Sequence, residues 1–322
     1  MANQFFERFL TKLDHNKRVI IQPHDFPDHD AVSSSFAMHY LLTQLGYNCV
    51  IVYNGYIDRI SLKNMIDWLS IDVVHINDSA LTPDDKIIVI DGCIGEKNVT
   101  DMPGVEVAVI DHHQVDAPDY IWYADIRPNY GSTATIMVEY FQYFNIKIPK
   151  AISTALLLGL MFDTNSFTRG VGSADINAML TLRKDANLIL TNKIFRNQLE
   201  YQDLSDFKTL LNDVQREGNL TYCILPRCST QMLGVLGDFL LSLDKIDNVV
   251  LITPHHQRAY ISLRTECPKT NVASIIKTLL NDAGIGFGGG HKHMAAGVIH
   301  SSVSLNNLPR VMKSFRKQLS AS

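Results

Sequence analysis

His24-Asp25-Phe26-Pro27-Asp28-His29-Asp30 and Asp111-His112-His113 crowd carboxylates and imidazoles into two short runs, each directly after an apolar segment. Those segments are Arg18-Val19-Ile20-Ile21-Gln22 and Val105-Glu106-Val107-Ala108-Val109-Ile110. A third, Lys86-Ile87-Ile88-Val89-Ile90, ends in Asp91-Gly92. Short runs of this kind, rich in β-branched residues, read as buried strands. In a parallel α/β sheet the carboxyl ends of the strands share one edge, where ligands bind. Three strand ends would therefore deliver acids and imidazoles to one crevice. Carboxylates packed that closely repel one another or take up protons. Divalent cations remove the conflict, so the pattern reads as a metal site. A single Asp or His after a strand is usually a cap or turn former; the same chemistry at three strand ends is not.

The chemistry that fits is phosphoryl transfer to water. Two divalent ions about 3.5–4 Å apart lower the pKa of a water between them and clamp the phosphoryl oxygens. Hard carboxylates with some imidazole suit Mn²⁺ or Mg²⁺. The spacing His24-x₃-Asp28-x-Asp30 lets one loop present an imidazole and two carboxylates, and Asp28 and Asp30 can address neighbouring ions.

The elements that must hold these groups alternate. Helical spacing runs from Ala31 to Leu45 and stops at Gly46. Asn48 to Tyr53 reads as a strand and Ile60 to Leu69 as a helix; a helix capped by Gly131-Ser132 follows, and Pro149 opens another that runs into Phe162-Asp163-Thr164. This succession predicts a mainly parallel sheet with helices on both faces. Residues 176–216 look helical and mixed in charge. Beyond them a smaller unit is expected, with strands at 220–225, 248–253, 258–264 and 296–300 and helices at 231–242, 271–280 and 308–319. Gly284-Ile285-Gly286-Phe287-Gly288-Gly289-Gly290-His291 reads as a loop whose amides could converge on an anion. It lacks the Lys-Ser/Thr of a P-loop, which disfavours nucleoside triphosphate hydrolysis.

A chain of 322 residues exceeds one hydrophobic core, so two domains are expected. The net charge of −4 gives no basic field for tracking long duplex nucleic acid and favours a small anion bound by local charge. Five cysteines without a C-x-x-C pair argue against a disulfide framework and against a thiolate zinc site; Cys49 and Cys223 read as buried small hydrophobes. No run reaches the ~18 apolar residues of a membrane span, and the N-terminus lacks a signal-peptide pattern, so a cytoplasmic protein is expected.

At this point the chain resembles the DHH phosphoesterase superfamily, in its two-domain DHH–DHHA1 branch. The matching motifs are His24-Asp25-Phe26-Pro27-Asp28-His29-Asp30-Ala31-Val32, Ile90-Asp91-Gly92, Asp111-His112-His113, Phe162-Asp163-Thr164, Ser262-Leu263-Arg264, Phe287-Gly288-Gly289-Gly290-His291 and Ala295-Ala296-Gly297, in that order. The resemblance implies one metal on His24, Asp28 and Asp91 and a second on Asp30, Asp91, His112 and Asp163, with Asp91 bridging. The two divalent cations would be Mn²⁺, or Mg²⁺ in its place. Asp111 would orient a histidine, and His113 would act towards the leaving oxygen as hydrogen-bond donor or general acid. Asp163 enters the set only through the resemblance, since an Asp at the end of an apolar helix is otherwise a cap.

The implied architecture is α/β: residues 1–195 as the metal-binding catalytic domain, 196–216 as a helical connection, and 217–322 as a smaller α/β substrate domain with a mixed sheet. In relatives the second domain grips the substrate's phosphate and base, which assigns Arg264, Gly288, Gly289, Gly290 and His291 to substrate contacts. The expected activity is hydrolysis of 5′-phosphorylated linear dinucleotides and very short oligoribonucleotides, such as pGpG or pApA, to mononucleotides. Opening of a cyclic dinucleotide and removal of the 3′-phosphate from phosphoadenosine phosphate are the enzymatic alternatives. A non-catalytic nucleotide sensor would require loss of a ligand, and none is missing. The expected partner is a short nucleotide, with neither long duplex nor membrane; a homodimer is compatible with the sequence.

Overall fold

A strand buried on both faces carries apolar side chains at every position rather than alternate ones. Ile87, Ile88, Val89 and Ile90 show why Lys86–Ile90 is a central strand: none has any solvent exposure. Burial of each such side chain contributes about 1.5–3 kcal/mol. The computed structural model describes residues 2–226, 228–230, 232–255, 257–290, 292–300 and 303–320. It divides into two units, one up to Gln198 and one from Leu199 onward.

In chain order the first unit contains α1 (Ala2–Leu10), β1 (Arg18–Pro23), α2 (His29–Gln44), β2 (Asn48–Tyr53), α3 (Ile60–Leu69), β3 (Val74–His75), β4 (Lys86–Ile90), β5 (Val105–Asp111), β6 (Tyr123–Ile126), α4 (Thr133–Tyr143), α5 (Lys150–Asp163), α6 (Ser173–Asp185) and α7 (Leu188–Arg196). Its strands form one six-stranded sheet in the order β3-β2-β1-β4-β5-β6. Every pairing is parallel. The chain builds outward from β1 through β2 to β3, then returns to β4 and builds the other way. β1 and β4 therefore flank the topological switch point, where such sheets open a crevice beyond their carboxyl ends. The first two chemical runs leave from there: His24 directly follows β1, and Asp91 directly follows β4.

Three elements of this unit go beyond the sequence reading: α1, the short edge strand β3, and β6. α1 buries Phe6 and Phe9, and the Phe6 ring stacks on Tyr140 at 4.4 Å between centroids. β6 pairs with β5 and carries Asp125, a buried acid paired with Arg127. α2 begins two residues earlier than its apolar spacing suggests, because the Asp28 side chain caps it by accepting the amides of Asp30 and Ala31.

The second unit contains α8 (Leu204–Asp213), β7 (Gln215–Glu217), β8 (Leu220–Ile224), α9 (Met232–Leu241), β9 (Asn248–His255), β10 (Arg258–Thr265), α10 (Val272–Ile276), which continues as a π-helix over Lys277–Asp282, β11 (Gly286–Gly290), β12 (Met294–Ile299) and α11 (Leu308–Ser320). Its mixed sheet runs β11-β12-β10-β9-β8-β7, with only β8 and β9 parallel. Within the segment 196–216, read as a connection, α8 packs into this unit: its Leu210 is buried with Leu225, Leu233 and Leu236.

The glycine-rich loop of the sequence reading is instead a strand. Gly286 to Gly290 pair in antiparallel register with Ile299 to Ala295. The glycine at 288 is required by packing: a Cβ there would lie 2.6 Å from Ile276 on α10. Its amide donates to Asn281 Oδ1 at 2.8 Å.

All five cysteines are unpaired. Among the described residues no helix is long and apolar enough to cross a membrane.

Candidate metal centre

Five elements contribute side chains at the switch-point crevice. The loop after β1 supplies His24 and Asp28, the first turn of α2 supplies Asp30, the turn after β4 supplies Asp91, β5 and the residues after it supply Asp111, His112 and His113, and the last residue of α5 is Asp163. Three groups of these side chains have potential ligand atoms within 4.8 Å of one another: His24, Asp28 and Asp91; Asp30, His112 and Asp163; and Asp91, His112 and His113. Asp91 belongs to two of the three groups. Its backbone sits in the left-handed region at φ +59°, which is uncommon for a residue with a side chain and recurs at functional sites.

The histidines are held in two different ways. His24 Nδ1–H donates to the Asp25 carbonyl at 2.9 Å, and His112 Nδ1–H donates to the Tyr130 carbonyl at 3.2 Å. A carbonyl can only accept, so in each neutral ring the proton lies on Nδ1 and the lone pair on Nε2. Those lone pairs face carboxylates. His24 Nε2 is 3.9 Å from both Asp28 and Asp91, and His112 Nε2 is 3.6 Å from Asp91 and 3.2 Å from Asp163. Among the described residues, His112 Nε2 is buried with no hydrogen-bond partner. Acceptors turned towards acceptors are unfavourable until a proton or a cation lies between them. His113 is different: its Nδ1 meets the buried Asp111 carboxylate at 2.8 Å, and the Asp111 carboxylate also accepts the His113 amide at 3.0 Å.

The electrostatics agree with this geometry. Burial pushes up the carboxyls of Asp30, Asp91 and Asp163, and the charges of neighbouring carboxylates add to it; Asp163 rises to about 6. Burial works against the charged form of His24, but its interaction with Asp28 outweighs that and raises it to about 10. Asp28 is lowered in return, against its own burial, by His24. His112 is likewise raised despite burial by Asp163 and Asp91. Burial lowers His113, and the hydrogen bond to Asp111 reverses the sign. An oxygen-rich pocket with two Nε2 donors is the donor set for a hard or borderline divalent cation. His24, Asp28, Asp30, Asp91, His112 and Asp163 could hold such ions.

The sequence reading overlooked the start of α4. Thr133 Oγ1 donates to Asp91 Oδ1 at 2.8 Å, and the amides of Thr133 and Ala134 donate to the two Asp30 oxygens at 2.6 and 3.0 Å. The α4 N-terminus thus orients two of the acids, as a helix N-terminus favours. Asp175, fully buried, ties that turn down by accepting Gly131 N–H and the Thr135 hydroxyl. Gly131-Ser132-Thr133 reads in sequence only as a cap; the available signal is a run of small polar residues at the start of a mostly buried helix.

The substrate contacts expected in the second unit are placed as follows. Arg264 Nε donates to Asp238 at 2.8 Å, and Nη1 donates to Ser262 Oγ and the Leu263 carbonyl at 3.1 and 3.0 Å. Of the fork read as a phosphate clamp, Nε and Nη1 are thus engaged within the unit, and no hydrogen bond of Nη2 is found among the described residues. Gly288, Gly289 and Gly290 lie on the edge strand β11. His291 lies outside the described residues.

Comparison with known proteins matches residues 18–160 to the model of the DHH family, N-terminal domain. An uncharacterized protein of Methanocaldococcus jannaschii is 27% identical over 294 residues, covering 90% of this chain and 60% of that protein. A probable manganese-dependent inorganic pyrophosphatase of Streptococcus thermophilus is 29% identical over 150 residues, covering 46% of this chain and 48% of the relative. The chain thus spans 60% of the first relative's length and about half of the second's. The crystal structure of an exopolyphosphatase-related protein from Bacteroides fragilis superposes with a TM-score of 0.78 at 18% identity, covering 98% of this chain and 96% of that one. That likeness is one of fold.

Proposed function

We propose that this chain, whose residues 18–160 match the model of the DHH family, N-terminal domain, is a metal-dependent phosphoester hydrolase whose substrates are 5′-phosphorylated linear dinucleotides and very short oligoribonucleotides. The observation that carries the reading is the pair of imidazoles pinned by Nδ1 to backbone carbonyls, with both Nε2 atoms turned to the shared Asp91. Manganese is the favoured cation, from the donor chemistry and from the description of the Streptococcus relative as manganese-dependent. His24, Asp28 and Asp91 would hold one ion, and Asp30, Asp91, His112 and Asp163 the other. When bound, the ions supply charge neutralisation and an acidified water.

The chain's own groups do the rest. As a water oxygen bonds to phosphorus and the bond to the 3′ oxygen breaks, His113, whose protonated form the Asp111 carboxylate favours, gives a proton to that leaving oxygen, so both products are 5′-mononucleotides. Thr133 holds the Asp91 carboxylate in one orientation. In the second unit, Arg264 Nη2 and the edge of β11 are the proposed grip on the substrate. A net charge of −4 suits a short anion better than a long one.

The test is a panel of 5′-phosphorylated dinucleotides, cyclic dinucleotides, longer RNA, phosphoadenosine phosphate and pyrophosphate, with Mn²⁺ and products resolved over time. Dinucleotides should be converted fastest and longer RNA slowly. Fastest turnover of pyrophosphate would overturn the substrate assignment and keep the hydrolase.

Thr133 provides a sharper check on the site. Thr133→Val preserves shape and removes the hydroxyl that fixes Asp91, so Mn²⁺ affinity or kcat/KM should fall about 10–100-fold, the usual scale for a group that orients a ligand. Thr133→Ser should restore it. Equal activity in the Val variant would show that Asp91 needs no such support.

A further inference from the structure

We propose that Phe26 and Tyr56 form a stacking platform for an unpaired nucleobase of the substrate, beside the metal centre in the first unit; this rests on the phosphodiesterase reading above and names what that site recognises besides phosphate. Phe26 lies between His24 and Asp28 on the loop that supplies the centre, yet 54% of it is exposed to solvent. Tyr56 is equally exposed at 54%, and the two rings meet edge to face at 4.8 Å. Large aromatics left in water beside an acid cluster gain nothing from burial.

The backbone makes Phe26 more unusual. Its φ of +55° lies in the left-handed region, which a bulky side chain rarely occupies. Such a conformation persists only where surroundings over-determine it, and it clusters at functional sites. Here the surroundings do so. Phe26 N–H donates to the Asn54 carbonyl at 3.0 Å, and the neighbouring Asp25 carboxylate accepts the Thr100 hydroxyl at 2.6 Å. Gly55, itself at φ +84°, gives the ring its seat: a Cβ there would lie 2.7 Å from Phe26 Cδ1. The fold accepts a strained residue and a glycine to present one flat apolar face.

The rim also carries the charge a nucleotide needs. Arg59, exposed and with no ion pair to an acid among the described residues, stands at the first position before α3, close enough to Asp28 to lower its carboxyl, an effect smaller than burial and the pairing with His24. An exposed aromatic face on the loop of a phosphate-directed centre, with a guanidinium near that same centre, is the chemistry of single-strand recognition, in which each base stacks on a ring without regard to its identity. Pyrophosphate and polyphosphate have nothing to place there.

The test compares kcat/KM for 5′-phosphorylated diadenylate with that for the same backbone lacking both bases. Phe26→Leu keeps apolar volume without a π face. It should lower kcat/KM on diadenylate roughly five- to a hundredfold and leave the abasic compound unchanged, whereas Phe26→Trp should retain the preference. Phe26→Gly, which relieves the left-handed backbone, should lose the preference without a lower Tm. Equal losses on both compounds, or a Phe26→Gly variant with lowered Tm and no change in preference, would make the ring a structural plug and overturn the platform. If the wild type cleaves both compounds alike, the platform fails and the hydrolase stands; if it cleaves neither, the phosphodiesterase reading fails first.

Discussion

Asp91→Asn is expected to lower turnover on the order of 10³-fold or more, the scale of several kcal/mol of transition-state stabilisation by bound metal. The same variant, stripped of divalent cations, should be as stable as the wild type or more stable. Both signs come from one arrangement. Asp91 is 1% exposed, is raised by its burial, and contributes in turn to the raised carboxyl of Asp30. Removing its charge relieves repulsion in the metal-free protein. It also removes the carboxylate that faces both His24 Nε2 and His112 Nε2. Mn²⁺ should therefore raise the Tm of the wild type, by mass action on the folded state, and raise that of the variant much less. A variant that loses stability without metal would show that Asp91 serves the fold rather than the ions.

His113→Ala should lower kcat by about 10²–10⁴-fold, the range for a general acid, while Mn²⁺ binding stays intact by calorimetry. Asp111→Asn should weaken kcat in the same direction, because an amide oxygen supports an imidazolium poorly. His112→Ala should instead lose Mn²⁺. The distinction rests on what holds each Nδ1. The carbonyl of Tyr130 leaves His112 with an Nε2 lone pair for a cation, whereas the Asp111 carboxylate favours a doubly protonated His113. His113 is also the more open of the two, with 34% of its side chain exposed against 9% for His112. Equal loss of metal in both variants would contradict the division of roles.

Much of this site could be read from the sequence because its carriers are parallel strands. Ile20-Ile21 and Ile87 to Ile90 are apolar at every position, so the strand ends, and the acids that follow them, stand out. What stayed hidden depends on tertiary partners. β6 spells Tyr-Ala-Asp-Ile, and its Asp125 is tolerable inside only because Arg127 and Tyr140 meet it there. Gly286 to Gly290 look like a loop because glycine tolerates any backbone; antiparallel pairing with Ile299 to Ala295 makes them a strand, and the close passage of Ile276 over Gly288 accounts for the glycine there. Thr133 looked like part of a cap, and its role appears only when Asp91, 42 residues earlier, comes within 2.8 Å. Arg264 read as a free clamp because Asp238 lies on another element.

The central claim is that this crevice holds two divalent cations around Asp91. Its most direct measurement is the position and number of Mn²⁺ ions in crystals of the full chain, located by anomalous scattering at the manganese edge. The account predicts two ions per chain, one on His24 Nε2 and one on His112 Nε2, with Asp91 shared between them. Full turnover in protein shown by elemental analysis to be free of divalent metal, or Mn²⁺ ordered only away from Asp91, would contradict it.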